Sequence, residues 1–209
     1  MSRLDCFLEQ SSALHKHLCP RQVLGARMGV YAAELFGVEL PQDNKRFYAF
    51  VETDGCFADG VSVATGCWLG RRTMRLMDYG RVAVTVVDTE SEHAIRFWPH
   101  PQARCRAAAY APDAQSHWHA QLAAYQIMPA EELLCAAPVA LMVSLADLIS
   151  RPGVRAMCEQ CGEEILNERA VLVDGHTLCR SCAGDSYYLP QTQLTVCAAT
   201  HDLMVVHTT

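Results

Sequence analysis

Two short stretches, Cys158-Glu159-Gln160-Cys161 and Cys179-Arg180-Ser181-Cys182, are each a Cys-x2-Cys pair, and seventeen residues separate them. That is the spacing of a structural zinc site with four thiolate ligands. Each pair fits a tight turn that aims two sulfurs at one ion, and Gly162 suits the turn after the first pair. A redox dithiol needs only one such pair, so the symmetric spacing favours metal. Between the pairs, Ala170 to Val173 and His176 to Leu178 read as two short strands joined by the turn Asp174-Gly175. The second pair is expected to open a short helix, which would make the module a treble clef. About thirty residues with so little apolar content do not fold alone, so zinc is expected to hold this module together.

Upstream of the first pair, Arg151-Pro152-Gly153 ends the preceding element and sets a domain boundary. Residues 1–150 are then a core domain and residues 151–209 a zinc-finger domain. Beyond the second pair, Leu194, Val196, Leu203 and Val205 alternate within residues 191–209, the pattern of a hairpin tail.

In the core, apolar residues recur at helical spacing from Pro20 to Phe36, with Pro20 at a tolerated first position and Gly37 as a stop. A strand is expected at Phe47 to Glu52, a helix at Phe57 to Leu69, and strands at Tyr79 to Val87 and Ala94 to Phe97. Residues 103–135 are Ala-rich and read as helices broken near Pro112 and Pro129, with a further strand at Val139 to Val143. Helices and strands mix without a regular βαβ rhythm, so the fold class is α+β.

The chain has 209 residues, 51% of them hydrophobic and 19% charged, with a net charge of −6. This describes a globular chain large enough for one core and an appendage, and it argues against nucleic acid as the partner. No stretch has the roughly 20 uninterrupted apolar residues of a membrane helix, and the first residues do not form a signal peptide, so a cytoplasmic protein is expected. Its eleven cysteines would then stay reduced and divide among metal ligands, reactive thiols and packing residues. Cys6, Cys105, Cys135 and Cys197 show no partner pattern and are read as packing residues.

The run His15-Lys16-His17-Leu18-Cys19-Pro20 holds the chemistry of the core. Cys19 precedes Pro20 and so falls at a helix N-cap, where free N–H groups and the helix dipole favour a thiolate. An extended lead-in would project His15, His17 and Cys19 to one side. A second cluster lies in Glu52-Thr53-Asp54-Gly55-Cys56-Phe57-Ala58-Asp59-Gly60, with Cys56 and Asp59 near the start of the next helix. Cys67 follows Cys56 by eleven residues, about 16 Å along a continuous helix and too far to share an ion, so it is assigned to the core.

These blocks, together with Leu24-Gly25-Ala26-Arg27-Met28-Gly29, Val61 to Cys67 and Asp78-Tyr79-Gly80-Arg81, occur in the order found in the formylmethanofuran dehydrogenase FmdE family, which the chain resembles over about residues 10–100. Some members of that family carry a treble-clef finger after an α+β core. The resemblance implies a shared pocket of His17, Cys19, Cys56 and Asp59, with His15 at the start of the motif. Arg21 departs from the family pattern, where a small Gly is usual, and places a cation beside the Cys19 cap.

Three functions are compatible with these residues. The favoured one is a metal- or metallocofactor-binding accessory protein, with a second metal or metallocofactor at the core site and a finger that contacts a protein partner. The alternative is a small thiol-dependent enzyme using Cys19 or Cys56 with His17 as base. In the third, the finger belongs to a nucleic-acid-binding regulator, but Arg151, Arg155, Arg169 and Arg180 are outweighed there by Glu159, Glu163, Glu164, Glu168, Asp174 and Asp185. No Gly-rich phosphate loop or Ser-centred motif is present. The resemblance and the Ala-rich helical region imply a homodimer.

Overall fold

The computed structural model describes residues 2–149, 153–189, 194–195 and 204–205. The chain divides into two compact units, Met1–Met142 and Val143–Thr209.

The first unit begins with a helix not expected from sequence, α1 (Arg3–His15). Its start is a reciprocal cap, in which Ser2 Oγ accepts from Asp5 N at 3.1 Å and Asp5 Oδ2 accepts from Ser2 N at 2.7 Å. Its end turns at Lys16, whose φ of 61° is left-handed. The lead-in to Cys19 is therefore a helix end and a turn rather than an extended segment.

Helix α2 (Pro20–Phe36) has the expected bounds, with Cys19 as N-cap and Gly37 closing it at a φ of 64°. Strand β1 (Phe47–Val51) follows, then α3 (Cys56–Thr65), which stops four residues before the expected Leu69 because Gly66 takes a φ of 79°. Strands β2 (Met74–Leu76), β3 (Val84–Asp88) and β4 (Ala94–Pro99) lead to the Ala-rich region. There α4 (Ala103–Tyr110), α5 (His117–Ile127) and the short α6 (Ala130–Leu133) are separated at the two prolines. The last strand, β5, is Leu134–Val139 rather than residues 139–143. Pairing along β4 from Ala94↔Val139 to Pro99↔Leu134 overrides the helical preference of Ala136 and Ala137, and Pro138 biases Ala137 to extended backbone.

The five strands form one sheet in the order β2-β1-β3-β4-β5, antiparallel except for the parallel pair β1–β2. Residues 79–83 are not strand. Asp78 and Gly80 have positive φ, and the N–H groups of Tyr79 and Arg81 both turn to the Glu52 carbonyl. At the outer edge, the Met74 N–H is taken by the Trp68 carbonyl, and the Met74 carbonyl accepts from Arg75 Nη1 at 2.9 Å. One sheet face supplies Phe47, Ala49, Val51, Val84, Val86 and Phe97 to a core shared with α1, α2, α3 and α5. Cys67 lies in that core, and its thiol donates to the Phe47 carbonyl at 3.3 Å. Cys105, assigned to packing, is instead exposed, and Cys6 and Cys135 are half-buried. Cys197 lies outside the described residues.

The closest packing in this unit is between α2 and α3. A Cβ added to Gly25 would strike the Phe57 carbonyl, one added to Gly60 would strike the Gln22 carbonyl, and one added to Gly29 would strike the Ala64 side chain. Backbone meets backbone because these positions lack or nearly lack side chains. The contacts advance together along both helices, so α2 and α3 run the same way and start side by side.

The second unit contains α7 (Leu145–Leu148), the hairpin β6 (Arg155–Met157) with β7 (Glu164–Leu166), and the hairpin β8 (Val171–Val173) with β9 (His176–Leu178). Only the second hairpin was expected from sequence. Its turn residues Asp174 and Gly175 have φ of 49° and 84°, the paired positive values of a tight hairpin turn. After Cys179 the chain makes a closed turn, with Ala183 N bonded to Cys179 O at 3.0 Å, Gly184 N to Ser181 O at 3.1 Å and Asp185 N to Arg180 O at 2.9 Å. The expected helix does not continue from it, because Gly184 takes a φ of 101° and turns the chain away. The two-residue strands β10 (Leu194–Thr195) and β11 (Met204–Val205) pair antiparallel, and the remainder of the expected tail hairpin lies outside the described residues.

Candidate functional sites

The finger is built from two turns. Cys158 ends the β6 side of the first, where its carbonyl accepts from Gly162 N and its N–H bonds to Glu163 O, both at 2.9 Å. The second turn starts at Cys179, whose N–H donates to Cys158 Sγ at 3.3 Å, while Cys182 N donates to Cys179 Sγ at 3.4 Å. The ligand atoms of Cys158, Cys161, Cys179 and Cys182 all lie within 4.8 Å of one another. Sulfurs about 2.3 Å from a tetrahedral ion would be about 3.8 Å apart, so the four thiols fit zinc in number, type and spacing. Backbone N–H groups of Cys161 and Cys179 pull the Cys158 thiol down to about 6. The Cys182 thiol is pushed up to about 12, first by the Cys179 thiol and then by burial. Four thiolates repel one another, and a bound dication is what lets them coexist. Buried side chains in this unit are few, notably Cys158 and Ile165, whereas Met157, Leu166 and Leu172 are exposed.

The core site lies where α2 and α3 start. Cys19 is the N-cap of α2, and Cys56 and Asp59 are the first and fourth residues of α3. Because the two helices are parallel and in backbone contact, Cys19 and Cys56 stand at neighbouring helix starts, near enough for the Cys19 thiol to influence that of Cys56. Burial first and the Cys19 thiol second push the Cys56 thiol up, and Arg21 is the weakest influence, pulling it down. His15, the last residue of α1, donates from Nε2 to Asp59 Oδ2 at 2.5 Å. His17 is exposed, and its Nδ1 donates to the His15 carbonyl at 3.0 Å, with the two imidazoles edge to face at 5.7 Å.

The structure therefore brings His15 and Asp59 into contact, with His17 bonded beside them, and sets Cys19 and Cys56 at the adjoining starts of α2 and α3. Among the described residues, the group of three or more ligand side chains drawn tightly enough to grip an ion is the finger tetrad. Each imidazole has one nitrogen engaged by an oxygen, the arrangement that fixes the tautomer of a metal-binding His and leaves the other nitrogen with its lone pair.

Three supporting groups are not among the sequence-selected residues. Gln22 is fully buried: its Oε1 accepts from Cys19 N at 2.7 Å, and its Nε2 donates to Ser11 O at 2.9 Å and Ser11 Oγ at 3.0 Å. It ties the α2 cap to α1, and Cys19-Pro20-Arg21-Gln22 carries the sequence signal, a cap residue with Gln three positions on. Glu52, just before the Asp54–Gly55 loop, is 5% exposed and paired with Arg96 at 2.6 Å and Arg81 at 2.7 Å. The Arg96 hydrogen bond, more than any other influence, holds its carboxyl below the usual range. Arg27 donates to the carbonyls of Tyr125, Gln126 and Met128 at 2.9, 3.2 and 2.6 Å, satisfying the end of α5.

An α+β core with a thiol–imidazole–carboxylate cluster at two helix starts, followed by a four-cysteine finger, defines the class of protein. Residues 14–135 match the model described as FmdE, molybdenum formylmethanofuran dehydrogenase operon, and the chain belongs to that family. Residues 153–188 match the prokaryotic dksA/traR C4-type zinc finger. A protein of Archaeoglobus fulgidus described as a probable S-adenosyl-L-methionine-binding protein is 37% identical over 100 residues, 46% of this chain. The chain spans 27% of the length of that curated relative. The crystal structure of a tungsten formylmethanofuran dehydrogenase FmdE-like protein from Syntrophus aciditrophicus superposes with a TM-score of 0.59 at 21% identity, over 89% of this chain and 95% of that one, a likeness of fold.

Proposed function

We propose that the protein is a metal- or metallocofactor-binding accessory protein of the FmdE family. In this reading the core site of His15, His17, Cys19, Cys56 and Asp59 captures a soft or borderline metal, and the finger tetrad holds a structural zinc. The supporting observation is the pairing of each imidazole with an oxygen acceptor near two helix starts that each carry a thiol. Thiolate with imidazole suits zinc, nickel, copper or iron better than magnesium or calcium. The thiol-enzyme alternative needs His17 as base, but its Nδ1 is committed to the His15 carbonyl rather than to either thiol. The acidic finger is suited to a protein partner rather than to phosphates, the chain's free thiols accord with a reducing, cytoplasmic setting, and the Ala-rich helical region accords with a homodimer as the working assembly.

Alkylation of anaerobic, zinc-loaded protein with and without added Co2+ tests this. The expected result is that Co2+ protects Cys19 and Cys56 and adds one metal equivalent beyond the finger zinc. Rapid alkylation of either thiol unaffected by Co2+, Zn2+ or Ni2+ would instead support a nucleophile.

A further inference from the structure

Toward the far end of α2 from Cys19, the first unit holds a cavity of about 430 Å3, within the range of small-molecule sites. Cys19 caps the start of α2 and Glu34 lies about 22 Å farther along the helix axis, so this cavity is separate from the core site. Its floor is apolar: Phe7 of α1, Ala33 of α2 and Leu40 of the following loop are all buried. Its rim is charged. Arg3 stands one turn before Phe7 on the same face of α1, with its guanidinium 5.8 Å from the ring centroid, and Glu34 and Glu39 stand at the end of α2 and in the loop after it. All three charged side chains are exposed, and among the described residues none of them has an ion-pair partner. Opposite charges thus border one apolar cavity without pairing. Next to its acidic side, Gln42 Nε2 donates to the Glu39 carbonyl at 2.8 Å, while Gln42 Oε1 is buried and finds no hydrogen-bond donor among the described residues. Buried acceptors rarely go without a donor.

We infer that this cavity binds a zwitterionic α-amino acid with an apolar side chain. The carboxylate of the ligand meets Arg3, whose forked guanidinium matches a carboxylate with two parallel hydrogen bonds. Its ammonium meets Glu34 and Glu39, and brings N–H donors to the side where Gln42 Oε1 lacks one. Its side chain covers Phe7, Ala33 and Leu40 and takes their apolar surface out of water. A ligand with a single charge leaves the opposite rim without a partner, and an uncharged apolar ligand leaves both, so the charge pattern selects the zwitterion. Ala33 sets the room available, because a larger side chain there would occupy the floor.

The experiment uses the full chain with zinc in the finger and three compounds of one shape, L-phenylalanine, phenethylamine and 3-phenylpropanoate, with binding followed by ligand-observed NMR and by the melting temperature of the first unit. L-phenylalanine is expected to bind several-fold more tightly than either singly charged analogue and to raise the melting temperature. Arg3→Gln should abolish its preference over phenethylamine, and Glu34→Gln combined with Glu39→Gln should abolish its preference over 3-phenylpropanoate. These side chains are exposed, so the variants should melt like the unliganded wild type. Ala33→Leu should weaken all three compounds, and if that variant does not fold, the charge variants still decide. No binding of L-phenylalanine or L-leucine at millimolar concentration overturns the site. Equal binding of the three compounds, or tighter binding of a singly charged one, overturns the amino acid as its ligand. Preferences that survive both sets of charge substitutions overturn its location.

Discussion

The molecule holds two clusters of cysteine, and they are supported in opposite ways. In the finger, four sulfurs converge on a unit with few buried side chains, so the ligands organise the fold. In the core, the fold organises the side chains. Gly25 and Gly60 let two helix backbones touch, and the parallel starts of those helices bring Cys19 to Cys56 and Asp59 within reach of His15. The lesson is that a cluster of thiols is stabilised either by the ion it holds or by the packing behind it, and that removing the ion tells the two apart.

The largest effect expected from this contrast is on the finger. Cys161→Ser should remove about one equivalent of zinc and unfold the second unit, because binding energy for structural zinc, on the order of 10 kcal/mol, is folding energy there. Metal analysis and proteolysis would check this. The first unit should keep its cooperative melt. If the whole chain unfolds on chelation, the contrast between the clusters is broken.

A smaller effect, confined to the core, is expected from Gly60→Val. The added methyls meet the Gln22 backbone, which cannot rotate away, so a cost at or above the usual ~1–3 kcal/mol of overpacking is expected. A lowered melting temperature of the first unit with the finger zinc retained would be the reading. Wild-type stability would mean that α2 and α3 are not in backbone contact.

Smallest, and sharpest for the site, is Gln22→Leu. The change leaves the Cys19 N–H and the Ser11 groups without their partner, a loss of about 1–3 kcal/mol. Co2+ protection of Cys19 should weaken along with stability, because the cap that positions Cys19 is lost. A stability loss with unchanged thiol reactivity would assign Gln22 to the core alone.

Much of this was legible in the sequence, and the failures have physical causes. The finger tetrad and the Asp174–Gly175 turn were readable because metal spacing and turn chemistry are local. Helix α2 was readable from end to end because Pro20 and Gly37 punctuate it. Helix α1 was not, although Ser2 and Asp5 form its cap, because alternating His15, His17 and Cys19 mimic an extended segment at its end. Strand β5 was hidden in an Ala-rich run whose local preference is helical and whose partner, β4, lies far away in sequence. For the core site, the residue types and their helix-start positions were readable. A shared pocket of Cys19, Cys56 and Asp59 was expected, whereas the bond from His15 to Asp59 was not, since it depends on a helix crossing that Gly25, Gly29 and Gly60 permit.

Strand β2 has a consequence for how the protein behaves at high concentration. A sheet edge with open N–H and C=O groups is a template onto which a neighbouring chain can add a strand. Here the Trp68 carbonyl and the Arg75 guanidinium already occupy both polar groups of Met74, the first residue of a three-residue edge. A second chain arriving at that residue must first displace a bond to each group. The start of this edge is thereby blunted against strand addition.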